Sequence, residues 1–281
     1  SPLKPITRTT GGTRATTVVT VGTITATSAD TYWDTTKTVC FSTAGNFAGA
    51  PSGATQVTDE TGDFDAQVTA HKTDNGGQVR MLFRDDETWT ASTASALNQT
   101  GPWMLGNFGG GTARPLVNVS TGQTSLTCAG SDGRVQGITF DGGSQGTTKG
   151  IQYLSGAAQI TLDDVDFNNM GQAVNCSEGT LIGEELFIHE GIIGPILGGN
   201  GNNGLYFASR RSGVIGLTVT DTSQGEHGFR TQFFQRSVVG NCSIGLSGAT
   251  KHCITIRGPA WAGTAIYPAE SHSELVVVND N

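Results

Sequence analysis

A six-residue hydrophobic pattern, called the hexad below, returns several times after residue 130 and limits the possible folds of this chain most strongly. Each copy is apolar at positions one, four and six and carries Gly, Asp or Asn at position three. Clear copies begin at Val135, Leu162, Val214 and Val239, and a less regular copy is assigned to residues 183–188. Starts separated by roughly 21 to 39 residues, each preceded by another strand-like run, indicate stacked coils rather than a closed sheet.

The end of the chain contains a further, incomplete hexad. Val278 begins it, and Asn281 ends it at position four. This strand is either an unusually short cap or part of a solenoid that continues, and we favour the continuation. An exposed last coil would then offer unpaired strand edges for self-association.

Composition restricts the class of protein. The 281 residues are enough for a sizeable core, since 36% of them are hydrophobic. The 41 glycines and the 14% of charged residues suit a fold with many tight turns and little helix surface. A net charge of −8 argues against general nucleic-acid binding, and no apolar run approaches the roughly 20 residues of a membrane span. A mature secreted chain would have these features, and so would a trimmed cytosolic one; we expect the secreted form, without nucleic-acid or membrane partners.

Each regular coil contains a second strand before its hexad. Residues 150–154 precede the hexad at Leu162, and residues 228–234 precede the hexad at Val239. Two or three short strands per coil, with Gly or Asn at the corners, are typical of a parallel β-helix. The sequence therefore predicts an all-β fold, a parallel β-helix solenoid.

The chain divides into a Thr-rich segment and this solenoid. Residues 1–37 alternate Thr with apolar side chains and are interpreted as exposed strands or a linker. Residues 38–281 form the predicted solenoid. Within it, residues 38–130 contain the N-terminal cap and the first coils, and residues 131–281 contain the regular coils.

A short helix is predicted near the start of the solenoid. Residues 64–71 have helical spacing, and Asp63 is suited to accept hydrogen bonds from the first turn. Because the terminal coil of a stacked fold exposes unpaired strand edges, we expect this helix to act as a cap.

The cysteines give little information about function. There are five, an odd number, and none forms a CxxC pair, which argues against a metal-thiolate site. Cys242 occupies position four of a hexad and is predicted to be a small buried hydrophobe. A disulfide between Cys40 and Cys128 across the first coils is left open.

In its strands and corners, the chain resembles the right-handed parallel β-helix proteins of the pectate-lyase-like superfold over residues 38–281. That group includes polysaccharide lyases, pectinases, polyuronate epimerases and phage tailspikes. Residues 225–230 and 251–258 are similar to segments of uncharacterised bacterial members. The resemblance implies right-handed coils and a carbohydrate-active protein, although one superfold carries many chemistries.

Charge is unevenly distributed along the regular coils. Residues 157–190 hold seven acidic side chains and no Lys or Arg, whereas residues 206–257 hold six basic ones. In an acidic protein, this concentration of positive charge on adjacent coils suits an anionic ligand.

Strand alternation predicts which of these side chains share the outer surface. If Phe229, Thr231 and Phe233 face the core, then Arg230 faces solvent. The predicted neighbours across coils are Tyr206, Arg230 and Thr255 in one column, Glu226 beside Lys251, and Gln232 beside Arg257.

This set of side chains suits β-elimination from a uronate-containing polysaccharide. The reaction requires a cation for the uronate carboxylate, a base for the neighbouring proton, and often an acid for the leaving oxygen. The candidate catalytic residues are Lys251, Arg230, Tyr206 and His227, and the candidate substrate-binding residues are Arg257, Gln232, Glu226 and Arg210. Lyases of the superfold commonly use Lys and Arg in such roles, but one of their patterns places Lys a coil before Arg, whereas Lys251 follows Arg230.

Three alternatives remain open. A glycoside hydrolase would need two carboxylates roughly 5 to 9.5 Å apart. The candidates are Asp163, Asp164, Asp166, Glu184 and Glu185, although the clustered Asp motifs, Gly-His-Gly and Arg-Ile-Lys of pectinases are present only as fragments. Without catalysis, the same surface would belong to a polysaccharide-binding or tailspike-like adhesin module, or its charges would only form a solvated ladder.

The lyase hypothesis requires no cofactor. Calcium is a separate candidate at Asp163, Asp164 and Asp166, because carboxylate oxygens are the hard ligands that this ion prefers.

Overall fold

Parallel pairing between strands of successive coils builds the fold. The computed structural model describes residue 33 and residues 35–176, 183–199, 201–246, 251–256 and 277–279, all within one unit from Trp33 to Asn281. The strands are β1 (Thr38–Ser42), β2 (Thr55–Thr58), β3 (Arg80–Arg84), β4 (Thr88–Ala91), β5 (Ser95–Leu97), β6 (Thr100–Phe108), β7 (Leu116–Val119), β8 (Thr124–Cys128), β9 (Ser131–Gln136), β10 (Thr139–Tyr153), β11 (Ala158–Asp163), β12 (Asp166–Cys176), β13 (Gly183–His189), β14 (Ile192–Ile193), β15 (Leu205–Arg210), β16 (Gly213–Ile215), β17 (Thr218–Asp221), β18 (Phe229–Gln235), β19 (Val238–Gly240), β20 (Ser243–Leu246), β21 (Ile254–Ile256) and β22 (Val277–Asn279). Within these ranges, one helix, α1 (Phe64–His71), and two short 3₁₀ turns, Thr35–Lys37 and Asp74–Gly77, complete the elements.

The strands form three faces of a solenoid of about six turns. The first face contains β1, β3, β6, β9, β11, β13, β16, β19 and β22. The second contains β4, β7, the starts of β10 and β12, β14, β17 and β20. The third contains β5, β8, the ends of β10 and β12, β15, β18 and β21. The predicted all-β parallel solenoid is therefore confirmed.

The hexads run across the corner between the first and second faces. Position one lies on the first face, where Leu162 pairs with Val135 and Val214 pairs with Val239. Between them, Ile188 pairs with both Leu162 and Val214, so the irregular copy begins at Ile188 and not at Gly183 as predicted. This copy was hard to find because its position four is Gly191, which has no side chain to bury.

Position three has a conformational requirement. Its residues have positive φ in the four regular copies and in the irregular one: Gly137 (61°), Asp164 (55°), Glu190 (58°), Gly216 (72°) and Asn241 (52°). The left-handed backbone turns the chain from the first face to the second, and Gly, Asn and Asp adopt it at least cost. The preference for these residues at position three is thus explained by the turn.

The core fills the interior between the three faces. Inward rows of aliphatic and aromatic side chains stack from coil to coil, for example Phe140 on Phe167 with ring centroids 5.7 Å apart. Trp89 and Trp103 are completely buried within this core.

All the cysteines are free thiols, so the disulfide considered between Cys40 and Cys128 is wrong. Cys128 belongs to the main core, whereas Cys40 packs in a separate small cluster with Leu82 and Phe108. Burial raises the pKa of Cys128 to about 12 and that of Cys40 to about 11. Cys242 is 4% exposed, as predicted for a small buried hydrophobe.

Helix α1 lies at the start of the solenoid, as predicted. The Asp63 carboxylate accepts a hydrogen bond from the Ala66 backbone at 3.0 Å. Phe64 and Val68 are buried, and the ring centroids of Phe64 and Phe83 lie 4.8 Å apart. The helix thereby covers the apolar side chains of the first coils.

The predictions for the Thr-rich segment and for the incomplete last hexad fall only partly within the described residues. Residues 1–32 and 34 lie outside them, as do residues 257–276 and 280–281. Val278 pairs with Val239, which places the incomplete hexad in register with the last regular copy. Continuation of the solenoid beyond Asn281 stays a prediction. Among the described residues, no helix is long and apolar enough to span a membrane.

Gly133 provides a test of the packing. A Cβ atom on this residue would lie 2.0 Å from a carbon of the Trp103 indole, which stacks directly over it. We expect Gly133→Ala to destabilise the fold by about 1 to 3 kcal/mol through overpacking, measured by urea denaturation. Gly213→Ala is the matched control, because its Cβ would lie 3.2 Å from the exposed ring of Phe187 and should cost much less. Equal stability of the two variants would contradict this account of the core.

Candidate functional site

The third face holds the side chains that the sequence grouped together. Tyr206 on β15 pairs with Arg230 on β18, and Arg230 pairs with Thr255 on β21. The predicted column is therefore confirmed. Its three side chains are partly exposed, whereas Phe229 and Thr231 on either side of Arg230 are buried.

Glu226 lies at the centre of the site, in the loop that leads from the second face into β18. Its carboxylate accepts from Arg230 Nη1 at 2.5 Å and from Lys251 Nζ at 3.1 Å. The Arg230 guanidinium lies over the Tyr206 ring, 5.1 Å from its centroid. We call Tyr206, Glu226, Arg230 and Lys251 the Glu226 cluster.

Electrostatics keep Glu226 ionised although it is only 8% exposed. Burial by itself raises the pKa of this carboxyl group, but the hydrogen bond from Lys251 and the charges of Arg230 and Lys251 outweigh burial and lower it. The cluster thus contains one carboxylate and two cations in a partly desolvated position.

His227 is close to the cluster but contacts the next coil. Its Nδ1 lies 2.9 Å from the carbonyl oxygen of His252 and 3.1 Å from Thr255 Oγ1. Burial lowers the pKa of His227, and the charges of Arg230 and Lys251 lower it further, against opposing effects of the His252 carbonyl and Glu226. The imidazole is therefore neutral at pH 7 and tied to the backbone through Nδ1.

Two asparagines that the sequence did not single out hold the loop in place. Asn202 accepts through its backbone oxygen from the Glu226 backbone at 2.7 Å. The completely buried Asn203 accepts through its side-chain oxygen from the His227 backbone at 3.2 Å. The signal available was the Gly-Asn-Asn-Gly run at 201–204, in which two amides stand at a coil corner.

Arg210 belongs to a different group of charges. It lies 3.5 Å from Glu184 and over the Phe233 ring, 5.3 Å from the centroid. The neighbouring Arg211 pairs with Glu184 at 3.0 Å and with Glu185 at 2.9 Å. The acidic and basic stretches of the sequence thus meet as ion pairs between consecutive coils, and the expected positive surface is largely neutralised there.

The remaining candidates are affected by an irregularity in β18. Between Phe207 and Ala208 the register shifts, because Gln232 is an extra residue on β18. Phe234 then continues the inward row, whereas Phe233 is completely buried beneath Arg210 but outside the main core cluster, so the predicted alternation ends at Thr231. The side chain of Gln232 and the whole of Arg257 lie outside the described residues.

The carboxylates proposed for a hydrolase or for calcium are paired with cationic groups. Asp163 contacts Arg134 and lies 2.8 Å from His189 Nδ1. Asp164 and Asp166 both lie 2.5 Å from the guanidinium of Arg114. In the described ranges, no group of three or more His, Cys, Asp or Glu side chains is arranged to hold a metal ion.

A phage protein is a distant structural match to this chain. No protein-family model matches the sequence, and no curated protein matches it. The solved structure, described as ORF18 of Geobacillus virus E2, aligns with a TM-score of 0.49 and 11% sequence identity. The alignment covers 87% of this chain and 48% of the phage chain, so this chain spans about half the length of its match.

The pKa of Glu226 gives a pH-dependent prediction. A carboxylate with a lowered pKa stabilises the fold above its ordinary value of 4.5, and this contribution disappears as the pH falls through the folded-state value. We expect Glu226→Gln to cost about 2 kcal/mol at neutral pH, less than for a fully buried pair, because Arg230 and Lys251 both lose the carboxylate of Glu226. The difference in unfolding free energy between wild type and variant should shrink in acid.

Urea denaturation at several pH values measures this difference. Glu60→Gln is the control, since Glu60 is an exposed side chain outside the cluster. A cost of Glu226→Gln that is the same at acid and neutral pH would show that the ionised carboxylate does not stabilise the loop.

Proposed function

We propose that the protein is a carbohydrate-active β-solenoid that binds an acidic polysaccharide on its third face. The observation that carries the proposal is the Glu226 cluster, in which a carboxylate is held between Arg230 and Lys251 beside the Tyr206 ring. Sugar recognition uses this combination of acceptor, charged donors and an aromatic ring.

The charges of the cluster favour an anionic sugar. Arg230 and Lys251 together exceed the single negative charge of Glu226, and His227 is neutral at pH 7. A guanidinium has five N–H donors, so Arg230 can bind a uronate carboxylate while one of its nitrogens donates to Glu226. Glu226 in turn would accept from sugar hydroxyls.

β-Elimination is the second candidate function. Lys251, Arg230 and Tyr206 share the surface that a lyase needs for its base, its carboxylate partner and its acid. In the free protein, however, Lys251 donates to Glu226 at 3.1 Å, so a lyase would have to release the amine when the uronate binds. Polysaccharide binding is therefore the main proposed function, and β-elimination is the alternative.

The proposal includes a secreted protein, because acidic polysaccharides occur mainly outside cells. Self-association through an exposed solenoid end also remains part of it. No metal is needed for the proposed contact, since Arg230 and Lys251 supply the positive charge.

The test uses alginate, pectate and glycosaminoglycans, each with calcium and without it. Binding is measured by affinity electrophoresis and calorimetry, and elimination is followed by the absorbance of unsaturated uronate. Binding with this absorbance supports the lyase; binding without it, in both calcium conditions, removes elimination and keeps the binding function. The absence of binding to every polymer would overturn the proposal.

Charge-neutralising variants locate the binding site. Lys251→Gln and Arg230→Gln should each weaken polysaccharide binding about tenfold or more, which corresponds to the loss of one charge-assisted contact. Arg236→Gln is the matched control, because it removes the same charge from an exposed corner outside the cluster. If Arg236→Gln weakens binding as much as the cluster variants, the polymer is held by general charge rather than by this site.

A further inference from the structure

A concave surface lies on the outer side of the first face, near the helix-capped end. The groove has a volume of about 300 Å³. Met104, Arg134 and Thr161 form its floor, and Trp33, Asp132 and Gln159 are among its walls. It shares no residue with the Glu226 cluster, which is on the third face.

The stacking of coils brings the floor and one wall together. Met104 pairs with Arg134, and Arg134 pairs with Thr161, so the three side chains form one outward column. Asp132 and Gln159 stand side by side at the preceding corner, where both have left-handed backbones with φ of 55° and 54°. The floor and this wall are thus fixed by strand register rather than by a loop.

Trp33 forms the wall at the N-terminal side of the groove. Its backbone oxygen accepts from Thr38 Oγ1 and from Arg80 Nη2, both at 3.4 Å. Among the described tryptophans, Trp89 and Trp103 are buried in the core, whereas Trp33 is partly exposed. A partly exposed indole beside a polar floor can present an apolar face and a polar edge to a ligand.

The polar groups offer both donors and acceptors without a strong net charge. Arg134 is half exposed and is paired with Asp163, and the carboxylate of Asp132 lies on the same rim. Gln159 donates through Nε2 to Glu185 at 3.1 Å, which leaves its carbonyl oxygen as an acceptor. Such a surface does not select an anion, but it matches the alternating hydroxyls of an uncharged sugar.

We propose that this groove is a second carbohydrate site, which binds a neutral sugar unit stacked on Trp33. The volume lies at the lower end of the roughly 300 to 1,000 Å³ range of small-molecule sites, as expected for one or two sugar rings. Together with the Glu226 cluster, it would let the protein contact a polysaccharide that contains both neutral and acidic units.

Titration with neutral disaccharides tests the groove. Cellobiose, maltose, lactose and chitobiose are added to the full chain, with tryptophan fluorescence and calorimetry as readouts. We expect a saturable response to at least one of them, and a Kd raised about tenfold by Trp33→Ala and by Gln159→Ala in calorimetry. Gln159 is an exposed corner residue, so its variant remains informative if Trp33→Ala does not fold. Phe187→Ala, which removes another exposed ring from the first face, should bind as the wild type does.

Disaccharide binding in the groove and polysaccharide binding at the Glu226 cluster can be tested independently. Lys251→Gln should leave disaccharide binding unchanged, and Trp33→Ala should leave the calcium-independent response to the acidic polymers largely intact. The inference is overturned if no neutral disaccharide gives a saturable response, or if both Trp33→Ala and Gln159→Ala bind as tightly as the wild type.

Discussion

The register between stacked coils is the constraint on which the rest of this structure depends. Parallel strands of successive coils lie about 4.8 Å apart, so residues at the same position of each coil become neighbours. Val214 and Val239 meet in the core for this reason, and Tyr206 and Arg230 meet on the surface. The alignment of the hexads thus determines the packing of the interior and the composition of the outer columns wherever the register is regular.

The same register decides which charged side chains become neighbours. An acidic stretch followed one coil later by a basic stretch would form two separate patches in an extended chain. In the solenoid the two stretches face each other, and Glu184 pairs with Arg210 and Arg211. Charge segregation at the coil period therefore produces a neutral ladder, which is why Arg210 does not join the candidate site.

The sequence allowed the solenoid, the capping helix and the column of Tyr206 and Arg230 to be predicted, because these depend only on alternation and on the coil period. It did not allow the copy at Ile188 to be placed, since Gly191 interrupts the apolar pattern. Phe233 is buried as predicted, but the alternation that was assumed for it fails after Thr231, because β18 contains an extra residue. Asn203 was missed because its side chain accepts a hydrogen bond from the backbone of another coil, and such a contact leaves no periodic signal.

The Glu226 cluster is more buried than the neighbouring ion pairs of Glu184 and Glu185 with Arg210 and Arg211. The side chains of Arg211 and Glu185 are 54% and 33% exposed, whereas those of Arg230 and Glu226 are 16% and 11% exposed. Exposed ion pairs contribute little to stability, and buried ones lose much of their attraction to desolvation, so stacking alone gives no reason to bury these charges. The fold nevertheless fixes the adjoining loop, through the backbone oxygen of Asn202 and the side-chain oxygen of Asn203. A ligand that completes the hydrogen bonds of these desolvated charges would account for this arrangement, which supports the proposed binding site over a structural ladder.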